Sequence, residues 1–370
     1  MFNFVGMNDE NFMKQVVLLA LKAKGMTSPN PMVGAVIVRG GKVIGRGYHK
    51  VAGGDHAEIV AIKDALNKKN SVRGATMYVN LEPCSHHGKT PPCCEELVHV
   101  GISRVVIAHR DPSSKVNGRG VRYLKKHGVE VIEGVLEDEA RRINQSFLKV
   151  SHFGLPYVTV KAGMSLDGKI ATRSGKSEWI TNEVSRVHGH ELRVGYDSII
   201  VGANTVRIDN PWLGAGGKSD KKKILRVIVD GKLSTPLSSR VFRDDNVIVA
   251  YSGLASERLV KKFRKHGVRI EKFGSRSVSV LRLMKFLYEK MEVQSMFVEG
   301  GGGVHGSFFD AGVVDEVYLY ISPEIIGGLG SVSVVGGKGV GVLKDSTKMK
   351  KTNVSRLKDD ILVHGIVHEY

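Results

Sequence analysis

The chain is poor in cysteine and has no apolar stretch long enough to cross a bilayer. Only three of its 370 residues are cysteine, and all three fall between residues 84 and 94. So tight a cluster cannot staple a fold together, which excludes a disulfide framework and points to a metal or catalytic role in a reducing compartment. The longest candidate apolar run, "VVLLAL" at 16–21, falls far short of the roughly 20 residues a spanning helix needs. No membrane association is therefore expected. The opening "MFNFVGMNDENF" lacks a cationic region and meets Asp9 and Glu10 early, so no secretory signal is expected and a cytoplasmic location is. Low-complexity tracts and short internal repeats are also missing. Acidic residues are outnumbered, 37 against 55 basic ones, for a net charge of +18. Such a surface attracts anions, either nucleic acid or small phosphorylated molecules. The basic residues are scattered, however, and "KSDKKKILR" at 218–226 is the densest run. No interleaving of aromatic and basic residues suggests a stacking platform for single strands.

What is present is a regular alternation of helical and extended patterns. "VGAVIV" and "KVIGRGYH" read as two strands joined at Gly40-Gly41, a hairpin signal. "HAEIVAIKDALNK" (56–68) reads as a helix, "TMYVNLE" (76–82) as a strand, and "PCCEELVHVG" as a short helix that stops at glycine. The segment 137–154, "EDEARRINQSFLKVSHFG", reads as one polar helix with few core positions, a connection between domains. After it the pattern restarts, with strands expected at 157–165, 197–202, 224–230, 246–251, 268–273, 295–301 and 316–323 and a hairpin to follow. The length suits two domains, expected at 1–149 and 150–370, both α/β.

Chemistry concentrates in "HAE" (56–58) and "PCSHHGKTPPCC" (83–94). One histidine and two thiolates give three protein ligands and leave a fourth position to water, the arrangement of a catalytic rather than a structural zinc site. H-x-E followed by P-C and a later cysteine is the signature of zinc-dependent deaminases. Glu58, two residues from His56, is placed to move protons without ligating zinc. Cys93 and Cys94 are neighbours on a helix and diverge by about 100°, so only one suits the metal, and spacing alone leaves the choice open. A closed site with His86 or His87 as fourth ligand is the competing arrangement, and it leaves Glu58 without a purpose.

"TSPNPMVGAVIV", "GRGYHKVAGGDHAE" and "NLEPCSHHGKTPPCC" closely resemble the deaminase half of the bifunctional riboflavin-biosynthesis deaminase/reductase family. "VKAGMSLDGKIA", "SGKSEWIT", "VGANTVRIDNPWL" and "FVEGGGGVHGSFF" resemble its reductase half, in order along the chain. The resemblance implies a cytidine-deaminase-like three-layer domain followed by a dihydrofolate-reductase-like α/β domain. It implies zinc at His56, Cys84 and Cys93, with Cys94 left to the core. It implies hydrolysis of the 2-amino group of 2,5-diamino-6-ribosylamino-4(3H)-pyrimidinone 5′-phosphate. NADPH reduction of the ribosyl group then gives 5-amino-6-(5-phosphoribitylamino)uracil. Carried over residue by residue, Asn30 contacts substrate and His49 lies near it, with His86 and His87 in the pocket or on the surface. Gly163, Trp179, Thr205, Asp209, Gly301, Gly302, Gly303, Val304, His305, Gly306 and Ser307 line the NADPH site. Ser177, Arg193, Leu213 and Glu299 face substrate, and Lys161 either touches substrate or is a surface lysine. The glycine-rich stretch suits a pyrophosphate at a helix start. A threonine and an arginine usual after "DNPWL" are replaced by Gly214, Ala215 and Gly216, so the substrate phosphate must be held elsewhere, with Arg193, Arg207 and Lys218 as candidates. The resemblance further suggests a dimer or larger homo-oligomer. The alternative, a nucleic-acid base deaminase with a non-catalytic basic or ligand-binding C-terminal domain, has the charge in its favour. The wide gap between Cys84 and Cys93 and the reductase motifs stand against it.

Overall fold

The computed structural model describes residues 7–85, 91–113, 116–214 and 223–370. His86, His87, Ala215, Gly216 and Lys218 lie outside the described residues. The chain forms two compact units, one running to Gly154 and including Tyr370, the other spanning Leu155–Glu369.

The first unit runs α1 (Met7–Leu21), β1 (Gly34–Arg39), β2 (Lys42–Tyr48), α2 (Ala57–Asn67), β3 (Thr76–Leu81), α3 (Cys93–His99), β4 (Arg104–His109), α4 (Arg119–Lys126), β5 (Glu130–Glu133), α5 (Glu137–Ile143) and α6 (Gln145–Phe153). Its sheet has the order β2-β1-β3-β4-β5. β1 is antiparallel to β2 and β3, while β3, β4 and β5 are parallel. Side chains alternate across a strand, and the buried residues sort accordingly. Ala35, Ile37, Met77, Val79, Val105 and Ile107 pack under α2, α3 and α4. Val36, Val38, Tyr78, Val106 and Ala108 pack against Met13 and Val16 of α1 and Ala140 of α5. The result is three layers, helix on sheet on helix.

The single polar helix expected at 137–154 is instead two helices broken at Asn144, and both belong to the first unit. Ala140, Leu148 and Val150 are buried. The reason for the break is a side chain: the Asn144 amide turns inward to the backbone of Met32. Spacing within 137–154 could not show that partner.

The second unit runs β6 (Tyr157–Ser165), β7 (Lys169–Ala171), α7 (Glu183–Leu192), β8 (Ser198–Gly202), α8 (Ala203–Asp209), β9 (Leu225–Val229), β10 (Val247–Tyr251), α9 (Glu257–Lys265), β11 (Arg269–Lys272), α10 (Val280–Met291), β12 (Ser295–Val298), α11 (Gly302–Asp310), β13 (Glu316–Ser322), β14 (Val332–Ser333), β15 (Lys351–Leu357) and β16 (Asp360–Ile366). Nine strands form one sheet in the order β11-β10-β9-β8-β12-β6-β13-β16-β15. The strands from β11 to β13 are parallel, and β16 and β15 close the edge antiparallel. Parallel strands covered on both faces read as continuous apolar runs, as "SIIVG" does. Ile200 faces the α10 and α11 side, whereas Ile199 and Val201 face the side that holds Phe263 of α9. The short β7–β14 pair forms a separate ribbon.

Candidate active sites

Three chain turns deliver the metal-binding residues. β3 ends at Leu81, so Glu82-Pro83-Cys84 turn away at its carboxyl end. α3 opens at Cys93 behind Pro92, and α2 opens behind His56. His56 Nδ1 lies 3.1 Å from Cys93 Sγ and 3.5 Å from Cys84 Sγ. The three ligand atoms all lie within 4.8 Å of one another. Tetrahedral zinc with bonds of about 2.0–2.3 Å holds its ligand atoms roughly 3.5 Å apart, so this donor set fits the ion. The backbone N–H of Cys93 donates to Cys84 Sγ at 3.3 Å, a bond that favours the thiolate a metal needs. Of the two thiols, Cys84 is held below the ordinary range, first by the hydrogen bond from Cys93 and also by His56. Cys94 is fully buried among Leu97, Ala57 and other core residues, turned away from the cluster.

Glu58 sits in the first turn of α2 and is almost completely buried. Burial, and then the nearby Cys84 sulfur, push its carboxyl up, which suits a group that must both take and release a proton. Beside it His49, also buried, sits with its ring edge-on to His56. Its Nδ1 lies 3.0 Å from the carbonyl oxygen of Asp55, which fixes Nδ1 as the N–H donor. Nε2 therefore accepts, and Asn30 Nδ2 donates to it at 3.0 Å. Burial lowers the basicity of His49, which favours the neutral ring.

In the second unit, Glu299 follows β12 and Arg193 follows α7. Their side chains form a two-pronged ion pair: Arg193 Nε donates to Oε1 at 2.7 Å and Nη2 to Oε2 at 2.6 Å. Side-chain exposure is only 12% and 9%. Arg193 Nη1 donates to the carbonyl of Gly214 at 3.0 Å, so the guanidinium is committed to the protein and is a poor candidate for the substrate phosphate. Arg207 is likewise engaged, donating to Asn204. Burial alone would raise Glu299, but Arg193, with Lys161 and His190 beyond it, holds it below the usual carboxylate range. Lys161 is not a surface lysine: burial lowers its pKa, and its ammonium lies 5.4 Å from the centre of the Tyr320 ring. Gly189 makes room for it, since a Cβ there would sit 2.9 Å from Lys161 Cε. Tyr320 in turn is hydrogen-bonded to His188 Nδ1 at 2.7 Å.

The residues expected around the nicotinamide cofactor separate into two sets. Gly303 faces open space, and Thr205 Oγ1 lies 3.6 Å from where a Gly301 Cβ would be. The first N–H groups of α11 have no acceptor within their own helix, which fits a phosphate cradle there. Gly302 and Gly306 face inward instead. A Cβ on either would lie 2.1 Å from Ser333 O or 2.3 Å from Gly336 O, so these glycines admit the strap at 333–337. His305 is buried with Nδ1 on the carbonyl of Val334, and Val304 is a core residue; only their backbones are left for a ligand. Leu213, expected to face substrate, has its side chain among Ile199 and Val206 in the core, so its backbone is what is left for that role. Ser177 Oγ donates to Asp209 at 3.2 Å. Trp179 is 67% exposed, with the Arg186 guanidinium 4.3 Å from its ring centre. Gly163, in β6, lies against Thr181.

Residues 7–109 match the family model described as cytidine and deoxycytidylate deaminase zinc-binding region, and residues 156–363 match the RibD C-terminal domain. The riboflavin biosynthesis protein RibD of Bacillus amyloliquefaciens is 39% identical over 360 residues, 97% of this chain and 96% of its own. The chain belongs to the RibD family. The RibD of Aquifex aeolicus is 38% identical over 96% of this chain and 97% of its own. A crystal structure from Thermotoga maritima superposes with a TM-score of 0.85 at 39% identity, covering 98% of this chain and 99% of that one. That protein is a diaminohydroxyphosphoribosylaminopyrimidine deaminase/5-amino-6-(5-phosphoribosylamino)uracil reductase. RibD membership accounts for both α/β units, with a zinc-binding deaminase region first and an NADPH-dependent reductase domain second. Sequence reasoning missed Asn80, Asn144, Gly189 and Tyr320. The visible signal for Asn80 was a lone amide in the apolar strand "TMYVNL".

Proposed function

We propose that Glu58 is the proton carrier of the deaminase and that the cluster around Lys161 and Glu299 is the substrate end of the reductase. The chain is a bifunctional deaminase/reductase of riboflavin biosynthesis. The observation that carries the first assignment is a buried carboxylate beside the triangle of His56, Cys84 and Cys93. These three residues would hold the zinc, which when bound would supply a Lewis-acid centre that makes water nucleophilic near neutral pH. Glu58 takes a proton from the attacking water and delivers it to the departing amino group, so a C–N bond is exchanged for a C=O bond and ammonia leaves. Asn30, held by His49, binds the pyrimidine edge.

In the second unit, NADPH when bound would supply a hydride for the anomeric carbon of the deaminated ribosyl phosphate. Backbone N–H groups from Gly301 to Gly303 would receive its phosphates, and Thr205, Ser177–Asp209, Trp179 and Gly163 would complete the cofactor side. Lys161 is the donor beside Glu299 that holds the sugar oxygen receiving a proton as the ring opens. The Arg193–Glu299 pair keeps Glu299 ionised and oriented. Both reactions belong to the cytoplasm in this reading, in keeping with free cysteines and with described helices too short or too polar to cross a membrane. Self-association is proposed through the second unit. Among the described residues β15 is an edge strand of the sheet, and Ile325, Leu329, Val340, Leu343 and Val354 are exposed around it in sequence.

Glu58→Gln tests the deaminase assignment. It keeps the shape but carries no proton, so deamination should fall by about 10²- to 10⁴-fold. Zinc content and NADPH oxidation on deaminated substrate should stay at the parent level. Loss of zinc from this variant would make Glu58 a ligand or support and refute the assignment.

A further inference from the structure

The pocket residue Asn30 lies in the segment 30–33, which leads into β1 at Gly34 and is held by several hydrogen bonds. His49 N–H donates to the Val33 carbonyl at 2.9 Å. Asn80 of β3 accepts from Gly34 N at 2.8 Å and donates to the Met32 carbonyl at 3.0 Å. Asn144 accepts from Met32 N at 2.8 Å and donates to the same carbonyl at 2.9 Å. One side-chain amide thus occupies both backbone groups of Met32, as a neighbouring strand would. Both asparagines are buried, Asn80 fully and Asn144 nearly so.

This arrangement is costly unless it is complete. Asn144 interrupts the run from α5 to α6, and a buried amide with unmet hydrogen bonds destabilises the fold. Asparagine is a common residue at a helix start, but here its side chain makes no capping bond to α6 and is spent on Met32 instead. An amide is specified here because the opposing groups are a backbone N–H and a backbone C=O two residues from Asn30. Asn30 in turn has its Nδ2 committed to His49 Nε2, so the placement of its backbone sets where its side-chain oxygen stands.

We infer that Asn144 is a positioning residue for the deaminase: it clamps Met32 and thereby fixes Asn30 in the substrate pocket. The inference rests on the proposed role of Asn30 at the pyrimidine. It assigns a deaminase role to the α5–α6 break, which sequence patterning had read as connection.

Three variants test it in the full-length enzyme: Asn144→Ala, Asn30→Ala and the double variant, assayed for deamination with the pyrimidine phosphate. Asn144→Ala should raise the deaminase KM roughly tenfold, the equivalent of one lost well-placed hydrogen bond. kcat should change less, and zinc per chain and NADPH oxidation should match the parent. Asn144→Asp should fail to rescue KM, because a carboxylate cannot donate to the Met32 carbonyl. If Asn144 acts through Asn30, the double variant should be no worse than Asn30→Ala alone. An unchanged KM in Asn30→Ala would remove the premise about Asn30. A raised KM there with an unchanged KM in Asn144→Ala would overturn the clamp. A lower melting temperature in Asn144→Ala with parental KM would make Asn144 a purely structural residue and overturn it too.

Discussion

Replacing Arg193 with methionine is expected to reverse the pH response of the second unit. In the parent, both guanidinium prongs hold a carboxylate that is 9% exposed, at 2.6 and 2.7 Å. Removing one partner of a buried pair leaves the other charge uncompensated and typically costs about 3–5 kcal/mol. Lys161 stays close to Glu299 and supplies part of the missing charge, so the lower end, about 3 kcal/mol, is the expectation here. For a unit of this size each 1 kcal/mol shifts the melting temperature by about 2–4 °C, giving a drop of about 6–12 °C. Parent Glu299 has its folded pKa below the unfolded value, so its contribution is present above the unfolded pKa and is lost as pH falls through the folded one. In Arg193→Met the largest influence left is burial, which raises the folded pKa above the unfolded value. The variant therefore gains stability as pH falls through that raised pKa, where the parent gains none. Both tryptophans, Trp179 and Trp212, belong to the second unit, so fluorescence melts between about pH 5 and 8 read it without interference from the first. A shift below about 1 °C, with the parental pH dependence intact, would refute the view that this pair is a buried and compensated charge.

Three further outcomes follow from the same geometry. Cys93→Ser should lose zinc, whereas Cys94→Ser should retain it, because only Cys93 faces His56 and Cys84; metal analysis decides, and equal loss in both variants contradicts the assignment. Stripping zinc with a chelator should abolish deamination while NADPH oxidation on deaminated substrate continues, measured on the same sample. Gly306→Ala should cost about 1–3 kcal/mol by pushing the 333–337 strap off α11, whereas Gly303→Ala should not lower the melting temperature, since its Cβ meets nothing within 4 Å.

The alternation of strands and helices was readable because burial on both faces of a parallel sheet leaves long apolar runs such as "SIIVG". The zinc ligands were readable because thiolate and imidazole chemistry is written in residue type. What the sequence left hidden was partnership across distance. Nothing near Asn144 marks Met32 as its partner, 112 positions away. Arg193 and Glu299, 106 positions apart, were each expected to face substrate, and nothing in the sequence pairs them with one another. Leu213 lay in a motif that suggested substrate, yet hydrophobic burial took its side chain into the core. Gly302 and Gly306 show the same limit, since a glycine kept for a ligand and a glycine kept for a neighbouring loop are the same letter.

The position of β6 in its sheet has a consequence for synthesis on the ribosome. It is the first strand of the second unit to emerge, yet its two neighbours are β12 and β13. Tyr157 must wait for Ser295 on one side, and Thr159 for Glu316 on the other. The sheet of the first unit has no such delay, because β1 finds β2 across a two-residue turn and β3 soon after. Pairings between distant parts of a chain form slowly and leave apolar surface open meanwhile. The deaminase sheet can therefore assemble while translation continues, whereas this interior strand of the reductase half stays without its neighbours until residue 316 and beyond have cleared the exit tunnel.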